Sequence, residues 1–81
     1  MKMTRQEMIE RIDLFQGSKT YSYIKDIFGY FFNGYIIKRD EIKLILKDDE
    51  IGEVPIRIDD ISEIIYSKKH SFKREGNKND I

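Results

Sequence analysis

The sequence predicts a single small domain, mainly β, in which an N-terminal α-helix precedes about five short antiparallel strands that roll into a barrel. Three observations predict it. Apolar and polar residues alternate with period two through much of residues 30–67, the pattern of half-buried strands. Met8, Ile9, Ile12 and Phe15 recur instead at helical spacing. The chain is 81 residues long and has no cysteine, which leaves one modest core and no disulfide to supplement it.

The helix is expected over residues 4–16. Thr4 followed three residues later by Glu7 is a capping box, and Met3 and Met8 occupy the positions of a hydrophobic staple across it. Gly17 is placed to end the helix as a left-handed C′ residue. The stripe Met8, Ile12 and Phe15 has two readings: it packs on the domain's own sheet, or it faces a partner.

Residues 18–29 are ambiguous. Tyr21, Tyr23 and Ile24 suit a strand by residue type. Tyr23, Ile24, Ile27, Phe28 and Phe31 would also share one helical face, although Gly29 inside a helix costs about 1 kcal/mol relative to Ala. A strand at about 20–28 is the expectation and a second helix the alternative.

Strands follow at 30–39, 41–48, 53–58 and 62–67. Asn33-Gly34 has the form of a hairpin turn, but aromatic and β-branched residues flank it on both sides, so Gly34 is read as a tight bend within a strand. Arg39-Asp40-Glu41 is the next turn, and Ile42, Leu44 and Leu46 then alternate with Lys43, Ile45 and Lys47. Val54, Ile56 and Ile58 alternate with Pro55, Arg57 and Asp59, and Asp59-Asp60 makes a one-turn corner before the last strand. Residues 68–81 read as a charged, solvated tail.

A strand meander after one helix, a corner before the last strand, and a bending glycine in Phe32-Asn33-Gly34-Tyr35-Ile36 resemble the small SH3-like and Sm-like barrels. In the Sm-like family that glycine bends the second strand. The resemblance implies RNA binding through the loop after the second strand and the loop before the last. It also implies rings in which the fourth strand of one subunit pairs with the fifth of the next. Here the first loop, Lys38-Arg39-Asp40-Glu41, is mixed in charge, and the second carries Asp59 and Asp60, which repel phosphate. Pro55 lacks the N–H that strand pairing would use.

The formal net charge is zero, whereas proteins that grip phosphate usually carry a basic excess. The leading expectation is therefore a non-enzymatic protein-interaction module: an adaptor, an inhibitor or an assembly subunit. Its partner is another protein or a second copy, met through Met8, Ile12, Phe15, Ile37, Ile45 and Ile65. The alternative is an Sm-like RNA-binding protein. It would stack bases on Tyr30 and Tyr35 and hold phosphate with Lys38, Arg39, Lys68, Lys69, Lys73 and Arg74.

Enzymatic chemistry has little to work with, since the only histidine is His70 in the tail. Asp48-Asp49-Glu50 and Asp59-Asp60 lack the spacing of a calcium loop, which leaves a metal-dependent hydrolase as a third and weakest reading. No cofactor, resident metal or small-molecule substrate is expected. No apolar run is long enough to span a membrane and no leader is visible, so the expected location is cytoplasmic. Abundant Ile and Lys with no Ala suit either a β-rich fold or an AT-rich genome such as that of a virus or mobile element.

Overall fold

The chain enters its first element through the cap that its residues dictate. The Thr4 hydroxyl accepts from the Glu7 N–H at 3.1 Å, and the Glu7 carboxylate accepts from the Thr4 N–H at 2.9 Å, so two end donors are satisfied reciprocally. A computed structural model describes residues 3–67. It contains α1 (Arg5–Gly17), β1 (Tyr21–Asp26), β2 (Phe31–Arg39), β3 (Lys43–Asp48), β4 (Gly52–Arg57), a single 3-10 turn (Ile58–Asp60) and β5 (Ile61–Tyr66).

The helix end departs from expectation. Gly17 is the last helical residue, and the left-handed position falls on Lys19, at φ 53°. The Ser18 hydroxyl donates to the Leu14 carbonyl at 2.7 Å, which holds the turn together past the glycine.

Residues 21–26 form a strand and not a second helix, because they are paired on both sides, with β2 and with β5. Asp26 then organises the connection to β2. Its carboxylate accepts from the N–H groups of Phe28 (2.9 Å) and Tyr30 (3.0 Å), and Gly29 takes the left-handed φ of 95° that this turn requires.

The strands form one antiparallel sheet in the order β4-β3-β2-β1-β5, with β4 and β5 at its edges. Two devices in β2 bend it. Gly34 passes so close to β3 that a Cβ there would lie 1.8 Å from the Lys47 carbonyl oxygen. Two residues further on the register shifts: Ile36 faces Leu46, but Lys38 faces Ile45, so Ile37 is an extra, bulged residue.

The concave face of the bent sheet holds the core: Ile24, Ile36, Leu44, Leu46, Ile56, Ile58, Ile61 and Ile64. The helix closes it with Met8, 6% exposed, and Ile12, 0% exposed, while Phe15 packs against the rim. This corrects the partner reading of the helical stripe, because Met8 and Ile12 are spent on the chain's own core and offer no surface. It also means that the helix lies on the opposite side of the sheet from Tyr35, Ile37 and Ile65, which remain exposed. Burying each of the fully covered Ile and Leu side chains contributes roughly 1.5–3 kcal/mol.

Candidate nucleic-acid interface

The two loops that the Sm-like resemblance implicates are tied up internally. In the β2–β3 loop, the Asp40 carboxylate accepts from the N–H groups of Ile42 (2.7 Å) and Lys43 (2.9 Å) and from the Lys43 ammonium (3.2 Å). These bonds, the backbone ones foremost, pull its pKa down to about 2. At the 3-10 corner, Asp59 pairs with Arg5 at 2.9 Å, and the same guanidinium donates to the Glu41 carbonyl. One helical arginine thus bridges both loops.

Arg39, a phosphate contact in the sequence reading, is held by the helix. The bulge at Ile37 changes the parity of β2. Lys38 faces the outward Ile45, while Arg39 falls opposite the buried Leu44. Arg39 therefore turns to the helix side and grips Asp13 through two bonds of 2.6 and 2.9 Å. That bidentate pair holds the Asp13 carboxyl below its ordinary value. The Gln16 side chain donates to the Ile37 carbonyl at 2.9 Å beside it.

The convex face of the sheet is different in character. Tyr21 and Tyr35 lie opposite each other on β1 and β2 and meet edge to face, with centroids 5.3 Å apart. Tyr23 and Phe31 stack at 5.8 Å with a 30° interplanar angle. Ile65 lies opposite Tyr23 from the other side, and at the hairpin tip Phe28 and Tyr30 project into solvent. The result is a ledge of aromatic rings along β1 and β2 on which Phe31 is 60% exposed, with Tyr30, 67% exposed, beyond its end at the hairpin tip. The ledge has one fixed corner: the Tyr21 hydroxyl donates to Asp49, and burial together with that bond raises its pKa.

Of the residues singled out from sequence, Tyr30, Tyr35, Ile37, Lys38 and Ile65 are exposed, and Ile45 is half-buried on the outer face of β3. Lys68, Lys69, Lys73 and Arg74 lie outside the described residues. Tyr23, Phe28 and Phe31 were missed as site residues. Strand parity would have found Tyr23 and Phe31, because they alternate with Ile24 and Phe32. The acidic loops do not converge on a cation: among the described residues no group of three His, Cys, Asp or Glu is placed to hold a metal. Asp48 instead accepts from the N–H groups of Asn33, Glu50 and Ile51. Among the described residues no helix is long and apolar enough to cross a membrane.

No protein-family model matches the chain, and no curated protein matches it. Solved structures do. One is the 1.55 Å crystal structure of the pleiotropic translational regulator Hfq, which superposes with a TM-score of 0.62 at 18% identity, covering 69% of this chain and 92% of the Hfq chain. The likeness is one of fold. An N-terminal helix followed by five antiparallel strands in a small bent sheet is the Sm-like fold.

Proposed function

We propose that this chain is a non-enzymatic Sm-like RNA-binding protein that takes unpaired bases on the aromatic ledge of β1 and β2. The observation that carries the reading is the ledge itself: Tyr23 with Phe31 and Tyr21 with Tyr35 are pre-packed in pairs on the convex face, and the helix does not cover them. Rings held rigidly at a surface accept any base by stacking, at about 1–3 kcal/mol per base. Likeness of fold to a translational regulator supports the same reading. The interface differs from the one the resemblance implied, since Asp40, Asp59 and Arg39 are engaged within the chain and the sheet face is open.

Among the described residues the outer edges of β4 and β5 are unpaired, which suits assembly of several copies by strand pairing. Pro55, on the edge strand β4, limits the number of bonds such a pairing can make.

The test is direct. The purified protein should bind a labelled unstructured RNA, and Phe31→Ala with Tyr30→Ala should weaken that binding by tenfold or more, as expected from the loss of about 1–3 kcal/mol per stacked base. A wild-type protein that binds no RNA at physiological salt would end the reading. A second reading, a protein-interaction module, is favoured by exposed Ile37, Ile65 and Tyr66, and would show as a stoichiometric protein partner displaced by Ile65→Lys.

A further inference from the structure

The register of the sheet places basic residues together in a way that the linear sequence hides. Lys43, Ile45 and Lys47 alternate outward from β3, with Leu44 and Leu46 inward. Across one side Lys43 faces Arg57 and Ile45 faces Pro55. Across the other, the bulge brings Lys38 opposite Ile45. Lys38, Lys43 and Arg57 therefore surround Ile45 and Pro55 on one outer face, and all three are exposed.

Lys43 and Arg57 are like charges directly opposite in a ladder, an arrangement that disfavours the fold unless something neutralises it. Asp40 offsets part of this through Lys43, but its carboxylate is already committed to two backbone N–H groups. Among the described residues neither Lys38 nor Arg57 takes part in an ion pair. A cleft of about 350 Å³ opens beside Lys38 and Lys43, lined also by Arg39, Asp40 and Ile45, with Arg57 outside its lining.

Residues 1–67 as a whole are acidic, with ten Lys or Arg, these three included, against thirteen Asp or Glu. The carboxylates Asp40, Asp48, Asp49, Glu50, Asp59 and Asp60 gather in or next to the loops, which leaves the outer face of β3 the more favourable approach for a polyanion. Lys47 lies between Tyr35 on one side and Glu53 on the other, so it joins this face to the aromatic ledge with its charge partly offset.

We propose that Lys38, Lys43 and Arg57 form a phosphate-holding site for a single RNA strand, whose backbone crosses the outer face of β3 while its bases reach the rings of β1 and β2. This rests on the RNA reading given above and adds the path of the strand to it. The site also accounts for the opposed Lys43 and Arg57: a phosphate between them turns repulsion into attraction.

The experiment uses the full chain, a short labelled single-stranded RNA of mixed sequence, and binding measured over a range of salt concentrations. Lys43→Gln with Arg57→Gln should lower affinity about tenfold or more and reduce the slope of log K against log salt by up to about 1.4, at about 0.7 per phosphate contact on single strands. Its melting temperature should stay the same or rise, because a repulsive pair has been removed. Phe31→Ala should weaken binding and leave the slope unchanged. If wild type binds RNA, Phe31→Ala weakens it, and the double variant keeps the wild-type slope and affinity, the phosphate site is wrong and the RNA reading stands. If wild type binds no RNA, both fail. A double variant that melts well below wild type would assign these residues to the fold, and the proposal would be overturned. Lys38→Gln alone, a solvent-facing change, should reduce the slope by about 0.7 and serves as the second variant. Poly-glutamate binding that depends on Lys43 and Arg57, without RNA binding, would overturn the proposal in favour of an acidic protein ligand.

Discussion

Replacing Gly34 by alanine tests the bend on which the sheet depends. The added Cβ would sit 1.8 Å from the Lys47 carbonyl oxygen, 2.7 Å from its carbon and 3.1 Å from the Asp48 Cα, where ordinary contact begins at 3.4 Å. All three are backbone atoms, so no side chain can swing aside. β2 and β3 must separate by about 1.5 Å, beyond what a ladder hydrogen bond tolerates. Overpacking of this kind costs about 1–3 kcal/mol or more. Losing one or two ladder bonds around Gly34 and Tyr35 adds about 1 kcal/mol each. The expected loss is about 3–5 kcal/mol, against a total of about 4–12 kcal/mol for a domain of this size. Thermal melting followed by circular dichroism should show a fall of more than about 12 °C, or no folded baseline at all. Gly17→Ala is the control: nothing lies within 4 Å of its Cβ, and it should be neutral or stabilising by up to about 1 kcal/mol. A Gly34→Ala protein melting within about 4 °C of wild type would refute the close approach and, with it, the bent sheet.

Lys19→Gly should raise stability by up to about 1 kcal/mol in urea titration, since Lys19 holds a left-handed φ of 53° that favours glycine. Acid should destabilise the domain as pH falls from about 4 towards 2. The Asp13 and Asp40 carboxyls are held below their ordinary value in the folded state, so their contribution is present above that value and lost on protonation. At the other limb, the Tyr21 pKa is raised, so its contribution is present below its ordinary value of 10.0 and is lost as pH rises beyond it. Tyr21→Phe should flatten that alkaline limb in melting curves recorded against pH. Asp59→Ala should cost less than about 1 kcal/mol, because its ion pair with Arg5 is solvent-exposed on both sides.

What sequence reasoning could reach here was local. The capping box needs only Thr4 and Glu7, and Gly34 announces itself by standing among residues that otherwise want a strand. The inward sets Leu44–Leu46 and Ile56–Ile58 follow from alternation alone. What it missed depends on register. Lys38 and Arg39 are neighbours of similar charge and were given one role, but a single bulge sends the first outward and the second to Asp13, 26 residues away. Arg5 and Asp59 are 54 residues apart, and no local pattern marks them as a pair. The pairing of Lys43 with Arg57 has the same origin: each belongs to an ordinary alternating strand, and only the strand partnership makes them adversaries.

The bulged Ile37 has a consequence for how the helix and sheet are coupled. Without it, Ile36 and Lys38 would sit next to each other in an unbroken ladder with β3, so strand pairing does not need this residue, although the second bend of β2 does. What the insertion supplies is a carbonyl turned out of the ladder, and Gln16 takes it. A chain shortened by that one position should therefore keep its strands and lose a tether on the last turn of the helix. The helix is then seated less firmly over the core, and the sheet beneath it keeps its strand order while losing one of its two bends.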